Sequence, residues 1–270
     1  MGSYNGLIKY SKKDETFHSY SVDSSLKERL DIHALEVDNA GIIWLGTATG
    51  QVYQFNPLDE KFTKISHKLG APIVDILSTN DHIAVAGQNK GLLLLKKSDL
   101  TDIQYFPYKD YFRNGFVVNK FVKHPTIPYL LATNQGLVKL DPSLRKFESF
   151  EQTTMNSVGT LNVTDALFLS DSWFFVASEN NGLFQFQKTE ENFNVQNYRT
   201  DFFQRRSLVS DKLIALYQDK KGVIWIASQR GLSSFDPFNK GLRGIGLAMN
   251  PSNGLVSLNV WGFDEDKSNT

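Results

Sequence analysis

Ile43-Trp44-Leu45-Gly46-Thr47-Ala48-Thr49-Gly50 and Ile224-Trp225-Ile226-Ala227-Ser228-Gln229-Arg230-Gly231 are one phrase written twice. In each, an apolar run ends in a small residue, a polar turn follows, and a glycine opens a second strand-like stretch. Weaker copies end at Gly91, Gly136 and Gly182, and a truncated one at Gly6. The glycines are spaced by 44, 41, 45, 46 and 49 residues. A period in the forties built of short strands is the signature of an all-β propeller of four-stranded antiparallel blades, one per repeat.

Working outward from the first copy, residues 32–37 predict a first strand, and Asp38-Asn39-Ala40-Gly41 a turn with glycine where positive φ is favoured. Residues 42–46 are apolar on both faces, as an inner blade strand requires. Residues 51–55 alternate like a half-buried strand. Asn56-Pro57 breaks the sheet, and residues 61–64 read as a fourth, outer strand. The same grammar returns over 213–245. The middle copies predict second strands over 83–87, 129–132 and 174–177. There Val85, Leu130 and Phe175 stand in the Trp position, and Gly87, Ala132 and Ala177 in the small one. Apolar bulk followed by a small residue suits a crowded junction between sheets.

The repeats are therefore expected at about 32–72, 73–117, 118–161, 162–212 and 213–258, with partial copies at 1–31 and 259–270. Residues 6–10 read as a third strand with nothing before it, residues 17–20 as its fourth, and 260–266 as a lone first strand. The chain is a propeller of about six to seven blades, either closed through a shared blade that lacks a second strand or cut from a longer array.

Lys+Arg and Asp+Glu both total 29, so the net charge is zero. A nucleic-acid binder would need a basic face, so none is expected as a partner. With no cysteine there is no disulfide or thiolate metal site, which suits either cytoplasm or periplasm. No stretch reaches 18 apolar residues and no signal peptide opens the chain; an exported domain without its signal would read the same way.

The phrase resembles the two-component regulator propeller repeat: Ile214–Asp219, Gly222, Trp225-Ile226-Ala227-Ser228, Gly231-Leu232 and Phe235-Asp236 match almost throughout, Ile42–Thr47 match closely, and Asn259–Asp266 resemble the opening of another copy. The resemblance implies a periplasmic sensor region of a membrane-spanning bacterial signalling protein, often a hybrid histidine kinase detecting polysaccharide breakdown products, sometimes one with a cyclase output. It implies a ring of usually seven blades. Its implied partners are an oligosaccharide or other small ligand, the rest of the signalling protein, and a second copy. No kinase, receiver or cyclase motif lies in these residues, so any catalysis would reside elsewhere.

The residues themselves offer little chemistry. His18, His33, His67, His82 and His124 are scattered without metal-ligand spacing, so no metal and no cofactor is expected. Gly241-Leu242-Arg243-Gly244-Ile245-Gly246 follows no strand–helix pattern and reads as a relaxed connection. Asn162-Val163-Thr164 fits a glycosylation acceptor. Asp75, Asp165 and Glu36 are the inner-strand acids facing the axis; they either bind a cation or a sugar, as in a carbohydrate-active enzyme, or hydrogen-bond neighbouring blades and hydrate the channel. Trp44 and Trp225 read as packing, whereas Trp173, at a turn, is either exposed or a capped edge.

The better argument for a site is topological. In a four-stranded blade the second-to-third links and the blade-to-blade links emerge on one face. That face collects Asn89, Asn134, Gln135, Asn180, Gln229 and Arg230 from the first kind of link, and Tyr111, Arg113, Asn119 and Asn162 from the second. Amides beside aromatic rings suit neutral hydroxylated ligands, whose hydroxyls need both donor and acceptor. Tight turns favour Asn and Gly without any ligand, so a purely structural role stays open. The aromatic segment 110–119 departs most from the repeat and is the first choice for a recognition loop. A ligand-free interaction scaffold is the alternative to the sensor, with an enzyme behind it.

Overall fold

The computed structural model describes residues 1–4, 6–20, 30–112, 115–150, 161–190, 192–201, 206–238 and 241–245. The first sheet is β1 (Gly2–Ser3), β2 (Gly6–Ser11) and β3 (Thr16–Tyr20). The second is β4 (Ile32–Val37), β5 (Ile43–Thr47), β6 (Gln51–Asn56) and β7 (Lys61–Lys68). The third is β8 (Ile73–Ser78), β9 (His82–Gly87), β10 (Gly91–Lys96) and β11 (Asp99–Pro107), followed by a 3₁₀ turn at Tyr108–Asp110. The fourth is β12 (Val118–Val122), β13 (Leu130–Thr133), β14 (Gly136–Asp141) and β15 (Lys146–Ser149). The fifth is β16 (Val163–Ser170), β17 (Trp173–Ser178), β18 (Leu183–Lys188) and β19 (Phe193–Tyr198). The sixth is β20 (Leu213–Gln218), β21 (Ile224–Ser228), β22 (Gly231–Asp236) and β23 (Gly241–Ile245). In each, spatial order follows chain order. Every sheet is thus a meander of short hairpins, the arrangement that polar turns between apolar runs dictate.

Two readings of the sequence are corrected. The glycine-rich segment is no relaxed connection: Gly241–Ile245 is β23 and pairs along its length with β22. Its glycines still leave a backbone that can pair, and Leu242 on this strand is buried. The first sheet also does not begin with its third strand. Gly2 and Ser3 pair with Leu7 and Gly6 as β1, and Gly2 lies so close to Ile32 that a Cβ would meet its Cβ at 3.0 Å. Two residues are too few to show a pattern, which is why the strand escaped notice. The expected strand at 260–266 lies outside the described residues.

The chain divides into two compact units, Met1–Phe121 with Pro142–Lys146, and Val122–Asp141 with Phe147–Thr270. Within the first, β4 packs on β8; within the second, β16 packs on β20. All four of these first strands carry a register shift at the same place, after their first residue. The repeat therefore preserves a bulge as well as a length.

The hallmark residues have specific work. Asp38 Oδ1 accepts the amides of Ala40 and Ile42, at 2.9 and 3.0 Å, while its Oδ2 accepts the Trp44 indole N–H at 2.9 Å. Asp219 does the same with Lys221, Val223 and Trp225. One carboxylate thus closes the first turn and anchors the Trp on the next strand. The small residue before the polar turn makes room for the next sheet: a Cβ on Gly46 would sit 2.8 Å from Ile73 Cβ. At Gly50, φ is +83° and a Cβ would fall 2.5 Å from the Ala71 carbonyl, so only glycine fits. In the second unit Phe174 stacks between Phe168 and Phe186, at 4.6 and 4.8 Å between centroids, with Phe150 and Phe193 set edge-on.

Candidate functional site

Four of the second-to-third links are built by a hydroxyl at the end of the second strand; in the third sheet Gly87 stands there instead. Thr47, Thr133, Ser178 and Ser228 donate to the carbonyls of Gln51, Gly136, Gly182 and Gly231. The same hydroxyls accept amides of Gln51, Gln135, Asn181 and Arg230. Four links are then sewn to the chain entering their own sheet: the amides of Ala48, Gln88, Glu179 and Gln229 donate to the carbonyls of Asp31, Pro72, Asn162 and Lys212. Both kinds of link thus lie side by side, tied through these backbone groups. What they present outward is side chains: Asn89, Gln135, Asn180, Gln229 and Arg230 are exposed, while Tyr111, Asn119, Asn134 and Asn162 are half-buried.

The second unit gathers these groups into one polar patch. Asn162 donates its side-chain amide to Glu179. Arg199 donates to Asp211 through Nε and Nη2, both at 3.1 Å, and to the Asn180 carbonyl. The other oxygen of Asp211 accepts the Thr200 amide at 2.7 Å, and the Asp211 carbonyl accepts the Gly182 amide. Asn197 donates to the Asn181 carbonyl. Asn162 and Asn180, both read from the sequence, thus share a patch with Glu179, Arg199 and Asp211. Arg199 and Asp211 were missed; they flank the link after a fourth strand, where no repeat hallmark draws the eye. The patch offers amide donors and acceptors around an Arg–Asp pair, which can hold a ring bearing several hydroxyls.

In the first unit the aromatic segment is packed on itself. Phe112 stacks on Phe116 at 3.7 Å, and the buried Tyr108 meets Phe116 edge-on at 5.2 Å. Burial also drives the Tyr108 phenol well above its ordinary pKa. Asn89 lies beside Lys90, whose carbonyl accepts the Tyr108 amide and the Tyr105 hydroxyl. Arg113 lies outside the described residues.

The acids on first strands act as ties between sheets. Asp75 accepts the amides of Ile76 and Phe121, both at 2.9 Å, on separate oxygens. Asp165 repeats this with Ala166 and Leu216, at 2.9 and 3.0 Å, and is almost wholly buried. Glu36 accepts the Ser78 amide. Both oxygens of each Asp are thus engaged by backbone amides. His124 is equally structural: Nδ1 accepts the amides of Thr126 and Ile127, so Nε2 carries the proton, 3.7 Å from Asp171. Burial lowers its pKa, against the pull of Asp171. Trp173 is half-buried against Phe175 and Phe238, a capped edge. Asn162 is engaged by Glu179 and Val163 is fully buried, which leaves the glycosylation sequence poorly presented. Among the described residues no cluster of three His, Cys, Asp or Glu could hold a metal, and no helix is long and apolar enough to cross a membrane.

No family model and no curated protein matches the chain. Solved structures do. The chain is similar to the extracellular domain of the hybrid two-component system BT3049 of B. thetaiotaomicron, with TM-score 0.64 and 14% identity over 90% of this chain. It spans 38% of that domain's length. It is similar to the WD40 propeller domain of Doa1, with TM-score 0.66 and 12% identity over 99% of this chain and 82% of that one. A luciferin-regenerating enzyme matches at TM-score 0.55 and 12% identity, over 87% and 81% of the two chains. The fold is a β-propeller. Identities this low speak for the fold alone.

Proposed function

We propose that this propeller is a non-catalytic, extracytoplasmic sensing region of a bacterial two-component signalling protein, and that its ligand is a neutral oligosaccharide. The supporting observation is the hallmark itself. Asp, Trp, small residue, hydroxyl and glycine recur at Asp38–Gly50 and Asp219–Gly231 with the same Asp–turn and Asp–Trp hydrogen bonds, in a fold also used by an extracellular sensor domain. The Asn162–Glu179–Asn180–Arg199–Asp211 patch is the proposed contact surface. Ligand binding there would shift an equilibrium read by the remainder of a larger protein, the membrane-spanning part and a second copy included. Such a region works outside the cytoplasm, in the periplasm. The non-catalytic reading is favoured by the engagement of Asp75 and Asp165 with backbone amides.

The test is calorimetry and thermal shift with a panel of neutral oligosaccharides, on the wild type and on Arg199→Ala. Saturable stabilisation that Arg199→Ala weakens at least tenfold supports the reading. No binding to any glycan, with a protein partner recovered instead, favours the scaffold. Release of reducing ends would make the chain an enzyme and overturn it.

A further inference from the structure

Asp75 and Asp165 occupy the same slot of the repeat and make the same two bonds, yet they differ in access. Asp165 is sealed at 3% exposure, whereas Asp75 is only partly covered. Asp75 keeps some surface as a residue, although its carboxyl lies deep enough for burial to raise its pKa. Its Oδ2 holds the amide of Phe121 on β12, the strand in which the aromatic segment 110–119 ends. A second tie, from the Val118 amide to the Gln88 carbonyl at 3.2 Å, holds the start of β12.

We propose that Asp75 is a proton-operated joint between β8 and β12. Uptake of one proton turns the charge-assisted bond to the Phe121 amide into a weaker neutral one, and so loosens the grip on the strand that carries the aromatic segment. Burial pushes the Asp75 carboxyl up to about 6 from the ordinary 3.8, against the pull of the Phe121 amide, Lys120 on β12 and the Ile76 amide; Glu36 on β4 adds to the rise. These two are the charged groups acting on it from the elements it packs against. The folded chain therefore binds this proton more tightly than the unfolded one. The contribution of Asp75 to stability falls as pH rises from about 4 through about 6. Acid thus has two opposite effects at this residue: the contribution of Asp75 to stability rises, while the Phe121 amide loses protection relative to its neighbours.

The experiment follows the Asp75 side-chain carboxyl carbon and the Phe121 amide by NMR between pH 4 and 7.5 in the intact chain. Both should titrate together with a midpoint near 6. Lys120→Met should raise the midpoint and Glu36→Gln lower it, each by a few tenths of a unit or more. Asp75→Asn should abolish the Phe121 titration and flatten the fall of thermal stability between pH 5 and 7. A Phe121 amide that stays flat over this range, or a midpoint near 4 unmoved by the Lys120 and Glu36 substitutions, overturns the proposal. Because the wild-type titration decides alone, a misfolded Asn variant would leave the test intact.

Discussion

The Asp–Trp pair shows how one residue type can serve two levels of structure. Asp38 and Asp219 each close a turn with two amides and fix an indole with the remaining oxygen. A Phe in place of either Trp keeps the ring and loses the donor. Trp44 is buried, so Trp44→Phe should cost about 2 kcal/mol; Trp225 is half-exposed, water can replace its indole, and Trp225→Phe should cost about 1 kcal/mol. Denaturant titration measures both. Asp219 adds a pH signature. Burial alone would raise its pKa, but the Trp225 indole, the Val223 and Lys221 amides and the Lys221 charge outweigh that and hold it below the ordinary value. A carboxyl depressed in the fold contributes stability above its unfolded pKa and loses it as pH falls. The stability gap between wild type and Trp225→Phe should therefore be full at pH 6 and shrink toward pH 2. A gap independent of pH would mean that the indole matters only as bulk.

At the scale of elements, the turns between third and fourth strands repeat an unusual conformation. Glu15, Glu60 and Arg145 all have left-handed backbones, with φ of 52°, 56° and 49°. Two of them use it to reach the outer strand of the preceding sheet. Glu60 accepts the Tyr20 hydroxyl at 3.1 Å, and Arg145 donates to the Tyr105 carbonyl at 2.9 Å while lying over the Phe106 ring. Glu15 is exposed at the corresponding turn of the first sheet. Relief of left-handed strain should then show openly only there: Glu15→Gly should stabilise by about 0.5 kcal/mol. Arg145→Gly gains the same relief but loses a cation–π contact and a hydrogen bond, and should destabilise by about 1 kcal/mol. Melting curves of the two variants decide it; equal shifts would mean that the tie to β11 carries no energy. The inner strands were legible to within a residue or two, because apolar runs, Gly turns and Asn-Pro or Asp-Pro stops mark their ends, whereas the outer strand read at 61–64 runs on to Lys68. The failures were β1, too short for a pattern, and β23, whose glycines disguise a paired backbone.

For the whole molecule, the repeat was readable and the site much less so, for one physical reason. A repeat constrains residues that pack, and packing leaves periodic marks such as Gly46 against Ile73. A ligand face constrains only turn side chains, which are polar with or without a ligand. Much of that polarity is spent internally, as Asn162 on Glu179 and Arg199 on Asp211. The ties between neighbouring sheets lie between these extremes. The slot holding Asp75 and Asp165 is filled by Ala34, Lys120 and Ala215 in the other first strands, so the carboxylate tie is an addition to the repeat. Asp165 is its most buried form, and β16 and β20 meet there. Asparagine at this position keeps the size and one acceptor, and sets an NH₂ against the second amide. A buried amide left without its acceptor costs about 1–3 kcal/mol. Asp165→Asn should therefore lower the melting temperature by roughly 2–12 °C for a chain of this length. Amide exchange locates the damage: Leu216 and its neighbours on β20 should lose protection first, while the hairpin of β17 and β18, paired through five residues without Asp165, keeps most of its own. Uniform loss across both units would mean that Asp165 supports the fold globally. Loss confined to β20 makes it the pin between two sheets that are otherwise self-contained.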